Sequence, residues 1–147
     1  MQKAAQYDLL YRQLSALLEG ETDMVAKMAN MAAVLHESFG FWWTGFYRVA
    51  GEELILGPFQ GPVACMHIPF GKGVCGTAWK REASVVVPDV EAFPGHIACS
   101  SASRSEIVVP VFGSDGKVTA VLDIDSDRPA TFDEEDRLGL ERIVGLL

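Results

Sequence analysis

Basic residues are scarce in this sequence, cysteines are scarcer, and long apolar runs are missing. Twelve Lys and Arg stand against 20 Asp and Glu, a formal charge of −8 over 147 residues. Binding to nucleic acid needs clustered cations against phosphate, so that class is excluded. No stretch approaches the ~20 consecutive apolar residues of a membrane span, so no membrane association is expected. The first residues carry Lys3, Tyr7 and Arg12 among their apolar positions and lack the continuous apolar core of a secretory signal. Three cysteines, Cys65, Cys75 and Cys99, are an odd number and cannot close a disulfide framework. A reducing, cytoplasmic compartment follows, in which thiols are core packing, metal ligands or redox groups. Repeats, linkers and low-complexity segments are also missing. One domain over residues 1–147 is expected, large enough to hold a core without staples.

What is present reads as an α+β domain. Leu10, Leu14, Leu17 and Leu18 recur at helical spacing in Tyr7–Glu19, and Gly20 stops them. Thr22 can cap a second helix with Val25, Met28, Ala32 and Leu35 on its buried stripe, Met24 and Met31 at its edges, and Gly40 at its end. The N-terminal helices thus occupy about 5–39. The aromatic and β-branched run Phe41–Val49, Gly51 and then Glu53–Leu56 predict a hairpin. Ala64–Ile68 and Ser84–Val87 predict short strands, with a short helix over Val74–Arg81 between them. Val90–Arg104 has no periodicity and reads as a long loop, a length usually tied to function or disorder. Glu106–Phe112 and Lys117–Ile124 form a hairpin around Gly113-Ser114-Asp115-Gly116. The sheet and its loops thus span about 41–125. Thr131-Phe132-Asp133-Glu134 fits a capping box and opens a last helix, about 132–147, with Leu138, Ile143, Val144 and Leu147 on its apolar side. Adjacent hairpins imply an antiparallel sheet that the helices must cover.

Each cysteine has a bland reading, because free thiols are often simply buried. Two placements weigh against it. Cys75 stands just inside a helix start, where free N–H groups and the helix dipole favour a thiolate. Cys99 stands in a Gly/Pro/Ser-rich loop, a poor place for core filling. Cys65 with His67, on one face of a strand, and His96 with Cys99 are conceivable metal pairs, but neither has the spacing of a zinc knuckle, and no metal is expected. His36, in the second helix, reads as a surface or partnered core histidine. Asp123 and Asp125 alternate on one face of a strand, and the hairpin register brings Glu106 beside them. Three converging carboxylates raise at least one pKa unless a cation or a proton is shared, which suggests a site for an ammonium group, a proton donor, or both. Alternation sends Trp42 and Trp43 to opposite faces, one for the core and one for a pocket. Gly71, Gly73 and Gly76 fit G-x-G-x-x-G, but without a parallel βαβ unit they read as a tight turn with close packing.

Taken together, several segments resemble one family. They are Gly57-Pro58-Phe59-Gln60-Gly61, Ala64-Cys65, Gly71-Lys72-Gly73-Val74-Cys75-Gly76-Thr77-Ala78, Asp89-Val90, Phe93-Pro94-Gly95-His96-Ile97-Ala98-Cys99, Ser105-Glu106-Ile107-Val108-Val109-Pro110 and Leu122-Asp123-Ile124-Asp125-Ser126. They resemble the free methionine-(R)-sulfoxide reductases, which are single GAF domains. The likeness runs from about Trp43 to the last helix. Ser100, where an acidic residue is common, and Trp79, where a small one is common, depart from the pattern.

The resemblance implies a GAF fold, with a central antiparallel sheet, helices on one side and a ligand pocket under loops on the other. It implies reduction of the free amino acid's R-sulfoxide through a cysteine nucleophile, a sulfenic acid and an intramolecular disulfide recycled by thioredoxin, with no cofactor. By resemblance, Cys99 is the nucleophile and Cys65 the resolving thiol, with Cys75 an alternative partner or nucleophile. Glu106 and Asp125 would protonate the sulfoxide oxygen. Asp123 would hold the substrate ammonium. Trp43 and Tyr47, with Ile97 and Ala98, would line the rest. A homodimer through the N-terminal helices is an expectation of the same kind. The alternative is a non-enzymatic GAF sensor of small molecules.

Overall fold

The computed structural model describes residues 1–97, 99 and 102–147. Expectations placed on Ala98 and Ser100 therefore fall outside the described residues. Two helices, α1 (Lys3–Leu18) and α2 (Met24–Phe39), come first. Strands β1 (Trp43–Ala50), β2 (Glu53–Gln60) and β3 (His67–Pro69) follow, then α3 (Gly73–Arg81), β4 (Val85–Val87) and a 3-10 turn at Val90–Ala92. The chain ends with β5 (Ser105–Phe112), β6 (Val118–Ser126) and α4 (Glu134–Val144). The strands form one six-stranded sheet in the order β3-β2-β1-β6-β5-β4, with every pairing antiparallel.

Strand alternation sorts the sheet's two faces. Phe46, Ile107, Val109, Val111, Ala120, Leu122 and Ile124 face α1, α2 and α4 and form the larger core with Leu10, Leu14, Met31, Leu35, Leu140 and Ile143. On the same side His36 Nδ1 lies 3.0 Å from Thr44 Oγ1, so this histidine is a partnered one. The opposite face carries Trp43, Tyr47, Val108 and Val121, packed with Val74, Cys75 and Ala78 of α3. Asp123, Asp125 and Glu106 occupy this second face by the same alternation. Three helices therefore cover one side, and a shorter helix and loops cover the other, as the expected fold requires.

Several local expectations change. β2 runs through Gly57-Pro58 to Gln60 instead of stopping at Leu56. The β1–β2 register shifts between Gly45 and Tyr47, so Gly57 and Pro58 both oppose Phe46 in a bulge, which tolerates a residue lacking an N–H. Asp23, not Thr22, caps α2 by accepting from the Ala26 N–H. Val25 of that helix faces solvent, while Met31 is fully buried. The capping box of α4 pairs Asp133 with Asp136 instead of starting at Thr131, whose hydroxyl donates to Ser126 Oγ. Leu140 faces the core in place of the exposed Leu138. Helix α1 starts at Lys3, whose ammonium lies 2.7 Å from Asp136 of α4 and thereby ties the first turn to the last helix.

Candidate active site

The decisive geometry comes from the register of three neighbouring strands. Trp43 and Glu106 both stand opposite Asp125, on its two sides, and Gly45 and Val108 both stand opposite Asp123. Three carboxyl groups consequently share one patch of the face beneath α3. Glu106 and Asp123 are buried, at 5% and 6% exposure. Gly45 is required where it stands, because a Cβ there would lie 2.4 Å from Phe59 Cβ and 2.6 Å from the Trp43 ring. Its hydrogen lets the Trp43 indole lie over the strand, stacked against Phe59 and Tyr47 at 5.2 and 6.0 Å between centroids.

Helix α3 closes the patch from above. Gly73 enters it at φ 63°, and Gly76 brings the backbone so near that an added Cβ would meet the Pro69 carbonyl at 2.7 Å. The Gly71 N–H donates to the Gly76 carbonyl at 3.2 Å. The three glycines serve a turn and a close approach, as their context implied. They deliver Cys75 directly onto the carboxylates: Cys75, Glu106 and Asp123 each present a possible ligand atom within 4.8 Å of the others.

A cavity of about 50 Å³ remains between these groups. Trp43, Tyr47, Ile97, Cys75, Cys99, Glu106, Asp123 and Asp125 all line it, as do His96 and Ser103. Cys99 is joined to Cys65 by a disulfide with Cα atoms 5.3 Å apart. Cys65 bonds to the lining cysteine but is not itself in the lining. It also lies ahead of β3, not on a strand as the apolar run suggested. The reason is a pair of side-chain hydrogen bonds. Trp43 Nε1 donates to the Pro62 carbonyl and Tyr47 Oη to the Cys65 carbonyl, both at 2.9 Å, so these oxygens turn toward the pocket and away from a strand ladder. Trp42 departs from expectation as well. It precedes β1, escapes the alternation and lines the same cavity as Trp43.

Burial and mutual repulsion set the protonation of the site. Desolvation, with Asp123 and Asp125 alongside, holds the Glu106 carboxyl well above its ordinary value. Asp125 is likewise held well above it by desolvation and the Asp123 charge, against a hydrogen bond from Ser103 Oγ at 3.1 Å. Asp123 is raised by burial, but donors on Glu106, Cys75 and Asp125 and the nearby His96 work the other way. One of its oxygens, Oδ1, is buried with no hydrogen-bond partner among the described residues. The expected thiolate at Cys75 is reversed: full burial and then the charges of Asp123, Glu106 and Asp125 push this thiol far up, and they outweigh the helix start. Two residues escaped the sequence reading of the site. His96 stands 3.9 Å from Glu106 and carried a signal only as half of a metal pair with Cys99. Ser103 carried none. Of the conceivable metal pairs, Cys65 and Cys99 are bonded to each other, and His67 lies exposed with Nδ1 3.0 Å from Glu53.

A family profile described as GAF domain matches residues 20–147. The free methionine-R-sulfoxide reductase of Escherichia coli (strain K12) is 45% identical to this chain over 148 residues, covering 100% of this chain and 89% of that protein. The chain belongs to the free methionine-R-sulfoxide reductase family of GAF domains. GAF domain-containing protein A of Dictyostelium discoideum is 53% identical across 99% of this chain and 92% of its own. The X-ray structure of the Neisseria meningitidis free methionine-R-sulfoxide reductase, in complex with its substrate, superposes with a TM-score of 0.96 at 54% identity, over 99% of this chain and 88% of that one. The expected GAF fold is therefore the one found. No helix among the described residues is long and apolar enough to cross a membrane.

Proposed function

We propose that this chain reduces free L-methionine-(R)-S-oxide to methionine in the cytoplasm, with Cys99 as nucleophile, Cys65 as resolving thiol and thioredoxin as reductant. The observation that carries the reading is the Cys65–Cys99 disulfide with one sulfur in a pocket of buried carboxyl groups. Asp123, the carboxyl with most hydrogen-bond support for its charge and one unpartnered oxygen, receives the substrate ammonium. A residue inside a protein has no such ammonium to offer. Trp43 and Tyr47 wall in the methyl and methylene groups, and Ile97 packs beside them.

The chemistry follows from proton placement. The Cys99 sulfur attacks the sulfoxide sulfur, and the sulfoxide oxygen must gain protons before the S–O bond of methionine breaks. Glu106 and Asp125, held protonated above the ordinary carboxylate range, are the donors. The oxygen ends on Cys99 as a sulfenic acid, and methionine leaves. Cys65 then displaces that oxygen as water and forms the disulfide, which a dithiol protein reduces. Each cycle consumes two electrons and two protons. The test offers the purified protein separated R and S sulfoxides of free methionine, with thioredoxin recycled by NADPH. Consumption of NADPH with the R form is expected, and no turnover of that form would overturn the proposal. The sensor alternative is favoured by tight binding of the sulfoxide without its consumption.

A further inference from the structure

The disulfide spans a boundary between two environments. Its Cys99 end lines a narrow cavity of about 50 Å³ among the buried carboxyl groups. Its Cys65 end belongs to residues 61–66, which lead into the three-residue edge strand β3 and form part of the pocket's rim through Val63 and Ala64, while Cys65 and Met66 stay out of the lining. Three hydrogen bonds fix this segment: Trp43 to the Pro62 carbonyl, Tyr47 to the Cys65 carbonyl and the Leu56 N–H to the Met66 carbonyl at 2.9 Å. On either side of Cys65 it presents large apolar side chains to solvent, Val63 at 89% exposure and Met66 at 67%. Single exposed apolar residues are common, but two that bracket one sulfur of a disulfide on a pinned backbone form a surface made for contact.

We propose that residues 61–66 are the docking surface for the dithiol protein that reduces this chain, and that its attacking thiolate enters at the Cys65 sulfur. The inference rests on the reductase reading above. The reductant's first thiolate forms a bond to Cys65 Sγ as the Cys65–Cys99 bond breaks, and Cys99 leaves as a thiolate that takes up a proton inside the pocket. The reductant's second thiol then attacks its own first sulfur, Cys65 leaves as a thiolate and is protonated, and the reductant departs as a disulfide. The two electrons come from the dithiol. Attack at Cys65 fits both halves of the geometry. The half-buried sulfur outside the cavity lining meets the large partner, and the sulfur that lines the cavity returns directly to the position where the next sulfoxide binds. The partner is a small protein whose exposed thiol is set in an apolar rim, matching Val63 and Met66.

The experiment uses Met66→Glu, because Met66 does not line the cavity, with Met66→Leu as the conservative control. Turnover at saturating methionine-R-sulfoxide is followed against thioredoxin concentration and, separately, with dithiothreitol, which needs no docking surface. For Met66→Glu, kcat/KM for thioredoxin is expected to fall about tenfold or more while the dithiothreitol-supported rate stays within about twofold. Met66→Leu should match the parent. Unchanged thioredoxin kinetics in Met66→Glu would overturn the proposal. So would loss of both rates, which makes the residue structural, or a change in oligomeric state, which makes the face a contact between copies. If the parent protein fails with both reductants, the reductase reading itself fails. A thioredoxin lacking its second thiol should be trapped on Cys65 by peptide mapping, and trapping on Cys99 would overturn the assigned entry point.

Discussion

Glu106 stands directly opposite Asp125 in the β5–β6 ladder, and both carboxyl groups are held well above the ordinary carboxylate range. An unfolded chain releases these protons near pH ~4, whereas the folded protein keeps them to higher pH. The folded state binds more protons in that window, so these groups stabilise the protein below the unfolded values, and that contribution is lost as pH rises through the folded ones. Asp8, Asp133 and Glu134 are lowered by their cationic partners and act in the opposite sense, so the comparison must be a difference. The Tm of the substrate-free protein minus that of Glu106→Gln should therefore decline as pH increases from about 4. A difference that rises over this range would contradict the assignment.

The placement of the three thiols separates their roles. Cys99 alone joins cavity and disulfide, Cys65 lies outside the cavity, and Cys75 is buried with its proton held tightly. Single-turnover release of methionine should vanish in Cys99→Ser. Cys65→Ser should release one methionine per chain and then stall with thioredoxin. Cys75→Ala should keep the burst. A normal burst in Cys99→Ser would move the nucleophile to Cys75.

The site was more legible in the sequence than the framework that holds it. Period-two spacing of Asp123 and Asp125 and the turn Gly113–Gly116 were enough to bring Glu106 to its neighbours, because a hairpin register is a local property. The position of Cys65 was not local. Its departure from strand geometry depends on Trp43 and Tyr47, about twenty residues upstream, capturing two carbonyls. The fate of Cys75 was not local either, since the helix start that favours a thiolate can be read from sequence, and the carboxylates packed against it only from the fold. The strand read as Glu53–Leu56 runs on to Gln60, because a bulge accommodates Pro58 within it.

Asp123 carries the predicted selection for a free amino acid. Its unpartnered oxygen accepts an ammonium at the cost of desolvating both charges, and a hydrogen bond between charged groups is worth about 1.5–3 kcal/mol. Asp123→Asn should therefore raise KM for free methionine-R-sulfoxide by roughly 10- to 100-fold. An N-acetylated sulfoxide, which has no ammonium, should be a poor substrate for the parent and should be affected far less by the substitution. Equal losses on both substrates would show that Asp123 acts on the chemistry and not on the ammonium.

Cys75, Glu106 and Asp123 have the spacing of a metal-binding group, so zinc is a concrete competitor for the pocket. Binding there must first displace the proton that burial and three carboxyl groups hold on the thiol, which weakens the site at neutral pH. Metal analysis of the reduced, purified protein should therefore find well under one zinc per chain. Stoichiometric zinc, with loss of sulfoxide reduction restored by chelation, would make these groups ligands.

Far from the pocket, Gly139 of α4 tests how firmly the helical layer is packed. A Cβ there would lie 2.3 Å from Tyr7 Cγ. Replacing glycine with alanine inside a helix ordinarily gains about 0.8–1 kcal/mol, whereas overpacking a core costs about 1–3 kcal/mol. The Tyr7 ring decides the balance, because it has little room to retreat. It is 3% exposed, its hydroxyl donates to Asp136 Oδ1 at 2.6 Å, and Phe39 backs it at 4.7 Å between centroids. Gly139→Ala should therefore lower Tm despite its better helix propensity. Combining it with Tyr7→Phe, which frees the ring from Asp136, should cost less than the sum of the two single changes, because the ring can then move. Strictly additive losses would show that the hydroxyl does not hold the ring in place.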